Sequence, residues 1–164
     1  MLLQLKSIFM GEKTTLPFDI ELDFSSLDWQ GICPFQKPVS VKGAVTASAD
    51  VVTLTADVRY TYDGPCDRCA EPMSEERCFT VKHTLVASLD NEDKEEFLIV
   101  ENFQLDLEEL MQTEFLLNLP MKNLCKPDCK GICTTCGKNL NQGLCGCRQQ
   151  TVDPRLEILK QLID

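Results

Sequence analysis

Apolar residues alternate with other residue types in four runs along the first two-thirds of the chain. This period of two residues predicts half-buried β-strands. The runs cover residues 16–24, 39–45, 52–62 and 79–89. Gly-Pro and Glu-Pro steps punctuate the link between the last two runs, and this link carries Cys66 and Cys69. The simplest topology is an antiparallel meander, with Gly43 in the second run indicating a bulge.

Helical spacing begins where the strand pattern ends. Phe97–Val100 predicts one more short strand, and Asp106 and Glu109 then have the spacing of a capping box. Pro120 lies just beyond the expected end of this helix. The residues expected to face the core are Leu107, Leu110, Met111 and Phe115. A final helix is predicted from Asp153, because Pro154 suits the first helical position.

The segment after Pro120 is rich in cysteine and contains few large apolar residues. The chain contains ten cysteines, and six of them lie within residues 121–150. Such a segment cannot order itself by burial, so disulfides or a metal must hold it. The N-terminal residues have no basic region ahead of a long apolar run, so we expect no signal peptide or membrane span. We therefore expect a cytoplasmic protein with reduced thiols, in which a metal is the better interpretation.

The spacing of eight cysteines suits zinc, which prefers four ligands in a tetrahedron and binds thiolates well. We favour two zinc ions per chain. The first ligand set is Cys66, Cys69, Cys125 and Cys129, and the second is Cys133, Cys136, Cys145 and Cys147. The alternative is a zinc ribbon that combines the two C-x-x-C pairs. Cys33 and Cys78 have no near partner in sequence, and we expect them to be ordinary buried residues.

These elements predict an α+β fold. It comprises an antiparallel sheet that could be barrel-like, one packed helix, a zinc-stapled loop region and a C-terminal helix. The chain has 164 residues, which suits one domain. We expect that domain to span residues 1–164 and to carry its zinc-binding segment at residues 121–150.

The same features argue against enzymatic activity. A zinc ion with four thiolate ligands has no open position for water or substrate. The sequence contains one histidine, His83, which we expect to be a hydrogen-bonded residue on the sheet rather than a base or a metal ligand. We therefore expect a binding or scaffold protein that has no small-molecule substrate.

Charge is distributed unevenly along a chain whose formal net charge is −10. Residues 90–109 contain nine acidic side chains and one lysine. The net charge disfavours non-specific binding of nucleic acid over the whole surface. A basic patch, a possible contact for RNA or a partner protein, is formed by Lys122, Lys126, Lys130, Lys138 and Arg148. These residues could equally neutralise the negative charge of zinc-thiolate sites, and the sequence leaves both roles open.

Three stretches of the chain resemble the YceD-like family. They are Tyr62–Cys69 followed by Pro72, the long run Cys125–Asn141, and Asp153–Leu156 followed by Leu159 and Leu162. The resemblance extends over nearly the whole chain. It implies a bacterial factor that supports accumulation or processing of large-subunit (23S) rRNA and ribosome assembly. Its partner would be that rRNA, a basic ribosomal protein or an assembly factor.

A second hypothesis comes from the close spacing of Cys145 and Cys147. A zinc-thiolate redox sensor or redox-regulated chaperone would release zinc and unfold when such cysteines are oxidised.

Overall fold

Long antiparallel strands dominate the computed structural model of this chain, which describes residues 1–49, 51–87 and 97–147. The chain divides into two compact units. The first unit comprises Met1–Pro65 and Pro72–Asn123, and the second comprises Cys66–Glu71 and the chain from Leu124 onward. The final helix predicted from Asp153 lies outside the described residues.

Among the described residues, the regular elements belong to the first unit, apart from one short turn. In chain order they are β1 (Leu2–Gln4), α1 (Lys6–Phe9), β2 (Thr15–Leu22), β3 (Val39–Ser48), β4 (Val51–Pro65), β5 (Pro72–Val86), β6 (Phe97–Ile99), β7 (Gln104–Asp106) and α2 (Leu107–Asn118). Single 3-10 turns lie at Glu101–Phe103 and, in the second unit, at Leu140–Gln142.

The main sheet has five strands in the order β2-β3-β4-β5-β6. Strands β2 to β5 are antiparallel neighbours, whereas β6 pairs in parallel with β5. Strands β1 and β7 form a separate antiparallel pair. The predicted α+β class and antiparallel meander are confirmed. Among the described strands the sheet remains open, with β2 and β6 at its edges, and it is not a barrel.

The β4–β5 hairpin is longer than the apolar pattern predicts. The two strands stay paired from Val52 opposite Leu85 to Pro65 opposite Pro72. Their connection is therefore the short loop Cys66–Glu71 and not a long excursion. The first half of β5 is largely polar and exposed, so apolar alternation could not reveal it.

Strand β4 provides the centre of the core. Every second side chain along it is buried, as the alternation predicts: Val52, Leu54, Ala56, Val58, Tyr60 and Tyr62. Gly43 on β3 continues the ladder opposite Phe18 and Ala56, so the predicted bulge is wrong. A Cβ at this position would collide with the backbone oxygen of Thr55 and would lie 2.7 Å from the Phe18 ring, so glycine is present because the neighbouring strand and that ring leave no room for a side chain.

Helix α2 packs on this core as predicted. The Asp106 carboxylate caps the helix by accepting the backbone N–H groups of Glu108 and Glu109. Phe115 is fully buried and stacks on Phe24, with ring centroids 4.3 Å apart. None of the described helices is long and apolar enough to cross a membrane.

Two expectations about single residues have different outcomes. His83 Nε2 lies 2.9 Å from Glu114 Oε1, which confirms a hydrogen-bonded histidine on the sheet. Cys33 and Cys78 are both exposed, so the prediction that they are buried is wrong. Cys78 lies opposite Arg59 on the solvent-facing side of the hairpin, where strand alternation places it.

Candidate metal centres

Eight of the cysteines form two groups in the second unit. Cys66, Cys69, Cys125 and Cys129 form the first tetrad, and Cys133, Cys136, Cys145 and Cys147 form the second tetrad. Within each tetrad all four sulfur atoms lie within 4.8 Å of one another. These are the groups that the sequence spacing favours over a ribbon built from the two C-x-x-C pairs. Each tetrad could hold one metal ion.

Sulfur separations in the first tetrad fit a tetrahedral ion. The Sγ atoms of Cys66 and Cys129 are 3.9 Å apart, and those of Cys69 and Cys125 are 3.6 Å apart. A tetrahedron with metal–sulfur bonds of about 2.3 Å has edges of about 3.8 Å. The four thiols therefore surround a space of the size that zinc requires.

The two C-x-x-C pairs adopt the same backbone turn. We call Cys66–Glu71 the first knuckle and Cys133–Lys138 the second knuckle. In each, the N–H of the first residue donates to the carbonyl of the last, at 2.9 Å in the first knuckle and 2.8 Å in the second. The residue after the second cysteine, Ala70 or Gly137, has a left-handed φ of 57° or 72° and donates its N–H back to the first cysteine's carbonyl at 2.8 Å.

Ala70 shows that the first knuckle is typical in shape, although its sequence lacks the usual glycine. Alanine rarely adopts positive φ, because its Cβ crowds the backbone. The two hydrogen bonds of the first knuckle hold it in that conformation. Both C-x-x-C pairs thus place their two sulfurs on the same side of a tight turn.

Hydrogen-bond donors lower the pKa of two cysteines in the first tetrad, Cys66 and Cys129, and of Cys133 in the second. Burial raises the pKa of Cys66, but the N–H groups of Cys125, Cys69 and Arg68 outweigh it and lower that pKa to about 6. The N–H groups of Cys136 and Thr135 lower the pKa of Cys133 to about 6. These donors stabilise a thiolate, which is the form that binds metal.

Other thiols in the tetrads resist ionisation. Burial and the neighbouring sulfurs raise the pKa of Cys125 to about 12. The adjacent Cys136 sulfur, followed by burial, raises the pKa of Cys147 to about 12. Four thiolates this close repel one another, and a divalent cation at the centre of the tetrad would remove that repulsion.

The two tetrads differ in burial. In the first, Cys66, Cys69 and Cys129 are buried at 2%, 5% and 3% exposure, and only Cys125 is exposed. In the second, Cys136 is exposed and the other three are intermediate. The second tetrad is therefore the more accessible to oxidants and chelators.

A polar network that the sequence did not predict surrounds the first tetrad. Asn141 Nδ2 donates to Cys129 Sγ at 3.2 Å, and Arg68 Nη1 donates to the Cys129 carbonyl at 2.9 Å. Asn139 Nδ2 donates to Glu71 Oε1 at 3.0 Å. Both asparagines lie in the Cys125–Asn141 motif, but nothing in their spacing assigns them to a sulfur atom.

The basic patch is divided between the two units. Lys122 belongs to the first unit, whereas Lys126, Lys130 and Lys138 belong to the second, and all four are exposed. Arg148 lies outside the described residues. Lys138 Nζ donates to the Leu144 carbonyl at 3.3 Å. The side chain that donates to sulfur in the first tetrad is an asparagine and not one of these lysines.

Comparisons with known proteins identify the family. Uncharacterized proteins from Mycobacterium bovis and Mycobacterium tuberculosis are each 29% identical to this chain over 123 residues, 73% of its length. The matched region covers 59% of each of these relatives. No solved structure matches the chain. The family model described as "Large ribosomal RNA subunit accumulation protein YceD" matches residues 54–163, which include both tetrads. The chain therefore belongs to the YceD family.

Proposed function

We propose that this protein is a non-enzymatic zinc-binding factor that supports accumulation of large-subunit rRNA, acting in the cytoplasm through a ribosomal or assembly protein or through the rRNA. The observation that carries the proposal is the grouping of eight cysteines into two closed tetrads. A metal ion with four thiolate ligands has no position for a substrate, so its role is structural. The family name supplies the connection to rRNA.

Zinc is the metal that the donor set favours. The eight ligands are all thiols, and tetrahedral all-sulfur sites suit zinc or iron. Sulfur separations of 3.6 and 3.9 Å match the edges of a single-ion zinc tetrahedron. We expect protein purified without added metal to contain about two zinc ions per chain, measured by elemental analysis. Zinc-free protein with native disulfides would overturn the proposal.

A protein partner agrees better with the charge than a direct contact with RNA. The described residues of the second unit carry four basic side chains and three acidic ones. Two zinc-tetrathiolate sites would add about four negative charges, which makes the loaded unit net negative. RNA affinity depends largely on phosphate contacts that release counterions, and such a surface offers few of them. A basic ribosomal protein is electrostatically more compatible.

Co-purification distinguishes these partners. Tagged protein isolated from cells, with and without RNase treatment, should retain its protein partner in both cases. Neutralising Glu92, Glu95 and Glu96, which lie outside the described residues, should weaken recruitment to ribosomal precursors more than neutralising Lys122, Lys126 and Lys138. Both variants must first be shown to keep two zinc ions, because lost folding would imitate lost binding.

Direct RNA binding would give the opposite pattern. Only the lysine variant would lose recruitment, RNase would release the partners, and purified protein would bind rRNA fragments with a steep dependence on salt. That outcome would retain the rRNA function but replace the protein partner with the RNA itself.

The exposure of the second tetrad supports redox sensing as a second candidate function. Cys136 is exposed and its three neighbours are partly so, which leaves these sulfurs open to oxidation. Peroxide should then release one zinc ion early, with disulfides forming among the second tetrad. Alkylation of Cys33 and Cys78, which are exposed but outside the tetrads, should release none. Zinc release without any effect on rRNA accumulation would exclude a sensor role in this pathway.

A further inference from the structure

The side-chain amide of Asn141 is held against the first tetrad in a fixed orientation. Its Oδ1 accepts the backbone N–H of Lys130 at 2.9 Å. That N–H can only donate, so the amide must present its Nδ2 group to Cys129 Sγ, 3.2 Å away. A donor aimed at a metal-bound sulfur stabilises the thiolate, as outer-shell partners of metal ligands generally do.

Asn139 positions Asn141. Its Oδ1 accepts both the backbone N–H of Asn141, at 2.9 Å, and the side-chain Nδ2 of Asn141, at 3.0 Å. Because its Oδ1 is occupied by these donors, Asn139 directs its Nδ2 to Glu71 Oε1 in the first knuckle. A continuous chain of hydrogen bonds thus runs from Glu71 through both asparagines to Cys129.

This pair of asparagines follows directly after the second knuckle. The knuckle ends at Lys138, whose carbonyl accepts the N–H of Cys133 at 2.8 Å. Asn139 is the next residue. The segment Asn139–Asn141, which we call the coupling arm, therefore extends from the turn that carries two ligands of the second tetrad and ends at a ligand of the first.

Few apolar contacts could hold the coupling arm in place without the second tetrad. Leu140 is only partly buried, and the buried side chains among the described residues of the second unit are those of Cys66, Cys69 and Cys129. The arm's backbone is supported by the Leu140 N–H donating to the Gly131 carbonyl at 2.8 Å, the Gln142 N–H donating to the Asn139 carbonyl at 3.2 Å, and a bridge between Asn139 and Ile132. Fixing the second knuckle with metal would remove much of the conformational freedom of the arm.

We infer that the coupling arm makes metal binding at the two tetrads cooperative, with Asn141 as the positioning residue that connects occupancy of the second tetrad to affinity at the first. The inference rests on the proposed zinc-binding function and adds to it a coupling between the two metal sites. Metal in the second tetrad preorganises Asn141 against Cys129, and by linkage metal in the first tetrad strengthens binding at the second.

A double-mutant cycle with Co²⁺ as the probe tests the coupling. Cobalt gives a sulfur charge-transfer spectrum, and competition with a chelator measures its affinity for the first tetrad. Cys145→Ser/Cys147→Ser removes the second site but leaves the second knuckle's sequence intact. Asn141→Leu removes the donor to sulfur at similar volume. We expect each change to lower first-tetrad affinity about tenfold or more, the range found for outer-shell partners.

The combined variant gives the decisive result. If Asn141 carries the coupling, the combined variant should lose little more affinity than either single variant, because each breaks the same connection. Gln142→Leu is the matched control: it changes the next residue, which contacts Glu71 but no sulfur, and should lower affinity less than twofold. Fluorescence of Trp29 verifies that the first unit of each variant remains folded, and the sulfur charge-transfer spectrum verifies that the first tetrad of each variant still assembles around cobalt.

Four outcomes would overturn the inference. If Asn141→Leu changes first-tetrad affinity less than twofold, Asn141 does not carry the coupling. If first-tetrad affinity is unchanged after loss of the second tetrad, the two sites are not coupled. Independent, multiplicative losses in the combined variant place the coupling elsewhere. Wild-type protein that binds two ions without cooperativity contradicts only this inference, whereas zinc-free protein contradicts the proposed function as well.

Discussion

The two units of this protein differ in what holds them together. The first unit buries aliphatic and aromatic side chains from strands, helix and loop in one cluster that includes Leu54, Phe35 and Phe115. In the second unit, the only buried side chains among the described residues are cysteines. One unit is organised by apolar burial, and the other by groups whose chemistry is to bind metal.

This difference follows from size and composition. A chain segment as short as residues 124–147 cannot bury enough apolar surface to offset the entropy of ordering its backbone. Structural metal can replace that missing core, because its binding energy appears only when the ligands are brought together. We therefore expect the order of the second unit, but not of the first, to depend on zinc.

Removing the metal should give the largest effect. A strong chelator should abolish amide protection in residues 124–147, while the paired amides of β4 and β5 remain protected. The apparent binding energy of structural zinc in small peptides is about 10–16 kcal/mol, which is enough to decide whether such a segment is ordered. Hydrogen exchange with mass spectrometry measures both regions in one experiment.

Restoring zinc should restore protection in the same residues, which serves as the control for irreversible oxidation. Simultaneous loss of protection in β4 and β5 would show that the first unit also depends on metal. The contrast between the two units would then be wrong, although the metal sites themselves would remain.

A cavity in the first unit should have the reverse effect. Phe115 is fully buried on α2, and Phe115→Ala should lower the free energy of unfolding of the first unit by about 3–5 kcal/mol. The zinc content should stay at two per chain. Leu117, two residues away and 74% exposed, provides the matched control, because Leu117→Ala should cost less than about 0.5 kcal/mol.

Urea denaturation followed by Trp29 fluorescence gives the free energies of unfolding, and elemental analysis gives the metal content. Loss of zinc in the Phe115→Ala variant under native conditions would contradict independent stabilisation of the two units.

Much of the first unit could be predicted because its signals are local. The alternation from Val52 to Tyr62 fixes both the strand and its buried face, and Asp106 with the following apolar spacing fixes the start of α2. The first half of β5 was not evident, because its pairing with β4 continues the hairpin without apolar alternation. Strand β1 was equally hidden, since it is three residues long and its partner β7 is about a hundred residues away.

The metal centres also combine features that the sequence predicts with features that it does not. Cysteine spacing reflects the reach of a tetrahedral ion, so the ligands and their grouping can be expected from sequence. The role of Asn141 could not be predicted from the sequence, because its contact with Cys129 requires the chain to turn back between two ligand pairs. The left-handed Ala70 also gave no signal, since alanine ordinarily disfavours the conformation that the first knuckle imposes on it.

Substitutions at Ala70 and at the equivalent glycine should have the smallest predicted effect, and they compare the two knuckles directly. Ala70 and Gly137 occupy equivalent positions at φ 57° and 72°, and an added Cβ at Gly137 would meet no atom within 4 Å. Ala70→Gly should relieve backbone strain and Gly137→Ala should introduce it, each by about 1 kcal/mol. We therefore expect about a fivefold gain in metal affinity at the first tetrad and about a fivefold loss at the second, measured by chelator competition. Changes of the same sign in both variants would show that the two turns are not equivalent when metal is bound.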